Sequence, residues 1–148
     1  MNATKIGLKI RRARKSDVPR LAELSGELGY PATAKEMRGR FAQIRPASRH
    51  AIFVAELESE VIGWIHVSLT PLLEVARRAE VNGLIVAESR RSSGAGAKLL
   101  DAAEAWARSK SCKGMSVRSN VIRDRAHAFY ERQGYLHYKT QKAFRKPL

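Results

Sequence analysis

Cysteine is almost absent from this chain. Among its 148 residues only Cys112 carries a thiol, and one thiol allows neither an internal disulfide nor a cysteine metal cluster. Disulfides belong to oxidising compartments, so a single cysteine fits the reducing cytoplasm. The sequence therefore predicts a cytoplasmic protein in which no metal is expected.

Long apolar runs are also missing, since no stretch approaches the ~20 apolar residues of a transmembrane helix. The N-terminal segment MNATKIGLKIRRARK lacks the apolar middle and the small-residue cleavage site of a secretory signal. No internal repeat, low-complexity segment or long linker divides the chain. We therefore expect one domain over residues 1–148 with a sizeable core, and no membrane attachment.

Acidic and aromatic residues are both scarce. Asp and Glu number 14 against 28 Lys and Arg, which gives a formal net charge of +14, and aromatics make up 7% of the chain. The basic residues are dispersed, without the basic–aromatic ladder typical of single-strand nucleic-acid binders. The composition therefore argues against a specific nucleic-acid partner, and a solvated surface together with one polyanionic cofactor explains most of the charge.

What the chain does contain is a strand, a glycine-containing turn and a long helix within residues 80–106. Residues 81–86 read as a strand and residues 90–96 as a basic turn. The first turn of a helix presents unpaired N–H groups and the positive end of the macrodipole, so this junction predicts a phosphate site. The apolar residues that recur at helical spacing are Leu99, Leu100, Ala103, Trp106 and Ala107.

Spacing narrows the kind of phosphate ligand. The turn lacks the Gly-x-x-x-x-Gly-Lys-Ser/Thr run of nucleoside-triphosphate loops, and Leu99 stands where a dinucleotide fingerprint needs its third glycine. What remains, Arg91-x-x-Gly94-x-Gly96, resembles the acyl-CoA pyrophosphate loop of the GCN5-related N-acetyltransferases. A second segment, AHAFYERQGY at residues 126–135, is similar to the late motif of that family, Ala-x-x-Phe-Tyr-Glu-x-x-Gly-Phe/Tyr.

The resemblance implies an α/β (α+β) fold: a mixed, mostly antiparallel central sheet of roughly six to seven strands, splayed at the cofactor cleft, with about four flanking helices. It also implies acetyl-CoA as the cosubstrate, its pantetheine paired like an extra strand beside residues 84–86 and its pyrophosphate held by residues 91–97. The residues that it assigns to cofactor binding are Leu84, Ile85, Val86, Arg91, Ser92, Ser93, Gly94, Ala95, Gly96, Ala97, Asn120, Arg123 and Tyr130.

The same resemblance implies catalytic roles. Tyr130 matches the tyrosine that the family places near the thioester sulfur, and a phenol with a reference pKa near ~10 can donate a proton to the departing thiolate. Glu80 stands where many members carry a carboxylate that accepts the proton of the amine, and Glu74 is the alternative. The backbone N–H of Val86 or a neighbour is expected to polarise the carbonyl. The acceptor-side candidates are Tyr30, Glu74 and Glu80.

This chain departs from the family pattern in two regions. Glu88 and Ser92 replace the family's frequent proline and first glycine, and we expect Glu88 to face solvent because an inward carboxylate would repel the cofactor. Arg123 stands where many members have asparagine, with Asn120 three residues earlier. This run resembles a subgroup that includes aminoalkylphosphonate acetyltransferases and similar small-amine enzymes. It leaves open whether Asn120 or Arg123 touches cofactor or acceptor.

Other patterns predict the remaining elements. Alternation over residues 6–10 indicates a first strand, and Ser16 is expected to cap a helix that Gly29 ends. Thr33 and Glu36 form a capping-box signature for a helix through about residue 44. The other predictions are a break at 46–48, a hairpin turn at 58–60, a structural role for His66, a strand at 115–120, a helix at 124–132 and a last strand at 136–144.

Three functions stay open. The first is acetyl transfer from acetyl-CoA to a small primary amine by direct attack in a ternary complex. The second is acetyl transfer to a protein or peptide, because an acidic partner would suit the basic surface. The third is a non-catalytic acyl-CoA-binding sensor, against which Tyr130 and a nearby carboxylate argue. No motif names the acceptor, and since dimers are frequent in this family, a homodimer also stays open.

Overall fold

The computed structural model describes residues 7–45 and 48–148. Residue 6 of the predicted first strand and residues 46–47 of the predicted break therefore lie outside the described residues. The chain divides into two compact units, one up to Val117 and one over Arg118–Leu148. Within the described residues there are five strands and four α-helices. No helix among them has the length and the apolar character needed to cross a bilayer.

The first unit contains one five-stranded sheet, whose strands lie side by side in chain order. Neighbouring strands are antiparallel from the first to the fourth, and the fourth and fifth are parallel. The mixed, mostly antiparallel sheet is therefore confirmed. Its elements are β1 (Leu8–Arg12), α1 (Val18–Glu27), α2 (Ala34–Ile44), β2 (His50–Leu57), β3 (Glu60–Leu69), β4 (Ala79–Val86), α3 (Ala95–Ser109) and β5 (Met115–Val117), with short 3-10 turns at Lys15–Asp17 and Glu88–Arg90.

Helices cover both faces of this sheet. Side chains alternate along a strand, so Gly63 and Trp64 of β3 face opposite sides. Trp64 packs against the core cluster of α1 and α2, which includes Leu24 and Phe41. A Cβ on Gly63 would lie 3.3 Å from Leu99 of α3, so α3 covers the other face. The predicted apolar face of α3 is confirmed, since its five apolar residues named above are all buried.

The start of α1 differs from the prediction, because Asp17 and not Ser16 occupies the capping position. The Asp17 carboxylate accepts the Arg14 N–H at 2.7 Å and two guanidinium N–H groups of Arg11 at 2.8 and 3.0 Å. Burial opposes ionisation of Asp17, but these hydrogen bonds outweigh it and lower its pKa. A carboxylate can accept both N–H groups of the half-buried Arg11 guanidinium, which a serine hydroxyl could not, so the contacts with Arg11 favour an acidic residue here.

Other local predictions are confirmed. Thr33 and Glu36 form both hydrogen bonds of the capping box at 3.0 Å, and α2 ends at Ile44. The turn between β2 and β3 consists of Glu58 and Ser59, both with positive φ, at 52° and 66°. Two such residues are typical of the tight hairpin turn whose twist matches the flanking strands.

The second unit contains one helix, α4 (Asp124–Arg132), as predicted. Gly134 follows it with φ of 90°. The Gly134 N–H donates to the Glu131 carbonyl and the Tyr135 N–H to the Tyr130 carbonyl, both at 3.0 Å. This pair of bonds is the Schellman ending that a left-handed glycine allows, so the predicted stop at Gly134 is confirmed.

Two strand predictions were wrong, one in its length and one in its existence. The strand predicted over 115–120 ends at Val117, and residues 136–144 form no strand. The described sheet therefore has five strands where the resemblance implied six to seven. Residues 136–139 alternate apolar and polar side chains, but residues 140–142 are all polar, and the large apolar residues at the two ends are exposed, at 87% for Leu136 and 91% for Phe144. A strand needs a hydrogen-bonded neighbour as well as its own alternation, and none is paired with this segment in the described chain.

His66 contacts His50 on the face of the sheet that α1 and α2 cover. His66 Nε2 and His50 Nδ1 are 2.9 Å apart, and the two rings stack with centroids 5.1 Å apart. Burial, together with a smaller contribution from the charge of His50, lowers the pKa of His66 to about 4. His66 is therefore neutral at physiological pH.

We predict that this histidine makes the fold sensitive to mild acid. Below pH 6.5 the unfolded chain protonates His66, whereas the folded chain does so only near pH 4. The free energy of unfolding should therefore fall between pH 6.5 and 4, by on the order of 3 kcal/mol from this group. In urea titrations His66→Asn should reduce this pH slope, while the exposed His137→Asn should leave it unchanged. An unchanged slope in His66→Asn would contradict the assignment.

Candidate functional site

The parallel pairing between β4 and β5 is short. Only three residue pairs of the two strands lie opposite each other: Ala79–Met115, Glu80–Ser116 and Val81–Val117. The strand β4 itself continues to Val86. Beyond Val81, no strand of the described chain lies beside β4 on this side. An open strand edge presents unpaired N–H and C=O groups, so an extended ligand could pair with β4 here.

A β-bulge in β4 begins where this pairing ends. Val81 lies opposite Val67 and Gly83 opposite His66, so Asn82 is the extra residue. The Asn82 side-chain amide donates to Ser68 Oγ at 2.7 Å. Bulges bend a strand and increase its twist, so the free part of β4 begins at a bend.

Glycine is required at position 83 beside the bulge. A Cβ on Gly83 would lie 2.8 Å from two ring atoms of Trp64, so the indole occupies the space that a side chain would fill. The close approach of Trp64 explains a glycine in the middle of this strand.

The turn after β4 leads its backbone into the first turn of α3. Ser92 and Gly94 have φ of 73° and 86°, a left-handed conformation that turns successive N–H groups toward one side. Gly94 occupies the N-cap position, where it has no side chain with which to cap the helix. Ser93 Oγ accepts from the Ala95 N–H at a long 3.3 Å. The turn therefore offers backbone donors and the helix dipole to an anion.

Charged side chains around this turn are exposed. Arg91 and Lys98 are both open to solvent, where they can add positive charge. Glu88 is also exposed, which confirms the predicted orientation of its side chain. The Glu88 N–H donates to Glu27 Oε1 at 2.9 Å, which links the last turn of α1 to the start of the turn. The sequence analysis did not identify Glu27 or Lys98.

Glu80 belongs to a polar row that crosses the sheet. It lies directly opposite Ser68 of β3 and Ser116 of β5, and Ser68 lies opposite His50 of β2. Residues directly opposite each other share a face, so these four side chains follow one line over four strands. The sequence analysis found Glu80 only, because it did not predict the register that aligns the other three.

The other acceptor-side candidates lie in loops of the first unit. Tyr30 is 67% exposed after α1, and its backbone is fixed by Ser25, whose hydroxyl donates to the Tyr30 carbonyl at 2.6 Å. Glu74 is exposed between β3 and β4. Of these candidates, only Glu80 lies on a strand of the sheet.

Tyr130 belongs to the second unit, on α4. Burial raises the pKa of Tyr130 to about 12, and the charge of Arg123 opposes this shift. Its ring makes edge-to-face contacts with Phe129 and Tyr135, at centroid distances of 5.2 and 5.8 Å. Tyr130 is therefore a neutral hydrogen-bond donor at any physiological pH.

Asn120 stabilises the segment before α4. Its side-chain oxygen accepts from the Ile122 N–H at 3.2 Å, and its backbone carbonyl accepts from the Arg123 N–H at 2.9 Å. His127 Nε2 lies 2.8 Å from the same carbonyl. These contacts give Asn120 a local structural role.

Metal ligation has no candidate cluster in the part of the chain that the structure describes. No group of three or more His, Cys, Asp or Glu residues there could hold an ion. The open β4 edge and the uncapped α3 N-terminus instead fit an elongated ligand that carries phosphates.

Comparison with known proteins identifies the family. Residues 18–135 match the Acetyltransferase (GNAT) family model, which covers most of the chain. The protein therefore belongs to the GNAT family and is an acyltransferase, with acetyl-CoA as its expected cosubstrate.

Individual relatives agree with this assignment. The chain is 27% identical over 133 residues to an uncharacterized N-acetyltransferase, YhfO, of Bacillus subtilis, covering 86% of this chain and 89% of the relative. It is 26% identical over 131 residues to the aminoglycoside N(6')-acetyltransferase type 1 of Klebsiella aerogenes, with coverages of 82% and 85%. The solved structure of AAC(6')-Iy with the bisubstrate analogue CoA-S-monomethyl-acetylneamine has the same fold, with a TM-score of 0.85, 19% identity and coverages of 95% and 99%.

We predict that Gly94→Ala weakens coenzyme A binding. An alanine held at φ of 86° is strained by about 1–2 kcal/mol. The turn should relax away from the left-handed conformation that aligns its amides, with a loss of affinity of about tenfold by calorimetry. Gly39→Ala is the matched control, because Gly39 lies within α2 with open space around its Cβ position. It should stabilise the fold slightly and leave affinity unchanged. If Gly94→Ala binds coenzyme A as tightly as Gly39→Ala does, the phosphates bind elsewhere.

Proposed function

We propose that the protein transfers the acetyl group of acetyl-CoA to a small primary amine, by direct attack in a ternary complex. The observation that carries the proposal is the continuity of two features in one segment: the open edge of β4 leads directly into the uncapped N-terminus of α3. An elongated cosubstrate with a pyrophosphate at one end and an amide-rich arm at the other matches both features.

Binding is assigned to backbone groups first. The edge at Leu84–Val86 is proposed to pair with the pantetheine arm, and the amides within residues 91–97 to hold the pyrophosphate. Arg91 and Lys98 add positive charge from exposed positions. The formal net charge of +14 should speed the encounter with a polyanionic cosubstrate at low ionic strength.

Catalysis is assigned to Val86, Glu80 and Tyr130. Acetyl-CoA supplies a thioester carbonyl, whose oxygen gains negative charge as the amine attacks. The N–H of Val86 or a neighbour is proposed to stabilise that charge. An alkylamine arrives protonated, so Glu80, directly or through a water molecule, is proposed to accept its proton before attack.

The role of Tyr130 follows from its pKa of about 12. A thiol titrates near ~8.5, so full transfer of the phenolic proton to the thiolate is uphill by roughly three pKa units. Tyr130 is therefore proposed to stabilise the departing sulfur mainly by donating a hydrogen bond, with the proton itself supplied by the reacting amine or solvent.

Two further observations support the proposal. The family match over residues 18–135 includes parts of both compact units, so we propose that residues 1–148 form one catalytic domain. The Klebsiella relative and AAC(6')-Iy both carry names of aminoglycoside acetyltransferases, which favours a small-molecule amine as the acceptor.

The proposal predicts thiol release from acetyl-CoA in the presence of a suitable amine. A thiol-reactive dye should detect turnover across a panel of mono-, di- and hydroxylated amines, and mass spectrometry should find the acceptor heavier by one acetyl group. Turnover only with peptides would favour the protein-acetylating alternative. Coenzyme A binding without turnover on any amine or peptide would favour a sensor.

We predict that Tyr130→Phe lowers kcat by roughly 10²-fold with little change in the KM for acetyl-CoA, because only the hydroxyl is removed. Tyr138→Phe, a change at an exposed tyrosine in the same unit, is the matched control and should be silent. With the pKa of Tyr130 at about 12, the wild-type kcat should show no loss of this donor up to pH 10. An unchanged kcat in Tyr130→Phe would remove the assignment.

A further inference from the structure

Ser68 is the nearest neighbour of Glu80 across the antiparallel pair of β3 and β4. The two residues lie directly opposite each other, which places their Cβ atoms about 4.5–5.5 Å apart on one face of the sheet. Ser68 is only 6% exposed, so its hydroxyl depends on protein groups and not on bulk water for its hydrogen bonds.

Asn82 determines how the Ser68 hydroxyl is used. The Asn82 amide donates to Ser68 Oγ at 2.7 Å, so this oxygen acts as an acceptor and its own O–H is left to be donated. Asn82 is the extra residue of the bulge in β4. The bulge therefore both bends the strand and fixes the serine next to Glu80.

Ser68 has a neighbour on each adjacent strand, His50 on β2 and Glu80 on β4. His50, on β2, has its Nδ1 2.9 Å from His66 Nε2, and the two rings stack. This contact draws the His50 ring along the strands toward His66. The carboxylate of Glu80, on the other side, is the charged acceptor to which Ser68 can donate.

We propose that Ser68, held by Asn82, is a positioning residue that donates its O–H to the Glu80 carboxylate and orients it toward the acceptor amine. The proposal rests on the proposed function, in which Glu80 accepts the proton of the amine. The reaction slows when the carboxylate that accepts the proton is not held in a fixed orientation, because small misplacements of a reacting group lower the rate.

The test is a double-mutant cycle of Ser68→Ala and Glu80→Gln, with kcat measured at saturating acetyl-CoA and the best amine of the panel. Ser68→Ala should lower kcat about tenfold and leave the KM for acetyl-CoA within about twofold. Ser68→Thr, which keeps the hydroxyl, should restore most of kcat. In the Glu80→Gln background Ser68→Ala should have no further effect, because residues that act through each other are not additive.

Two other variants keep the test decisive. Asn82→Ala removes the group that donates to Ser68, and Asn82 is exposed. This variant should also lower kcat, and it tests the same role even if substitution of the buried serine unfolds the protein. Ser109→Ala removes a comparable side-chain bond, to the Trp106 carbonyl at 2.6 Å, and should leave kcat unchanged.

The outcomes separate the two levels of the proposal. A wild-type protein that turns over no amine or peptide contradicts the proposed function itself. A wild-type protein that is active, but whose Ser68→Ala and Asn82→Ala variants keep full kcat, contradicts only the positioning role. Effects of Ser68→Ala and Glu80→Gln that simply add would also contradict it, because a general loss of stability would give that result.

Discussion

The early end of the parallel ladder between β4 and β5 is the constraint on which the rest of the site depends. Three residue pairs join the two strands, the last of them Val81–Val117, and β4 then continues to Val86 with no strand of the described chain beside it on that edge. Unpaired backbone groups in a sheet are costly unless a ligand or water satisfies them. The bulge at Asn82 bends β4 at the same point, so the open edge and the adjoining polar row have a common origin.

The turn before α3 and the helix α4 could be predicted from sequence because each depends on local chemistry. Gly94 and Gly134 both have positive φ, and glycine at such positions is visible in a single sequence. The capping box of Thr33 and Glu36 is equally local. Ser16 was the wrong cap because the choice of Asp17 depends on Arg11, whose side chain also reaches Glu56 on the neighbouring strand.

The rest of the site depends on pairing between distant segments. The row that contains Ser68 and Glu80 exists only because a bulge shifts the register of β3 against β4. No pattern in the sequence predicted that shift. His66 was expected to be structural, and its contact with His50 follows from register as well. The strand predicted at residues 136–144 shows the reverse error, since the described chain provides no neighbouring strand with which this segment pairs.

The central claim is that backbone amides in and beside the turn before α3 bind the phosphates of coenzyme A. Titration of the 15N-labelled protein with coenzyme A, followed by amide resonances, tests it most directly. The account predicts that the largest shifts fall on residues 92–97, with further changes at Leu84–Val86, and that they saturate with a single affinity. Shifts confined to other regions, such as the basic segment at 139–146, would contradict it.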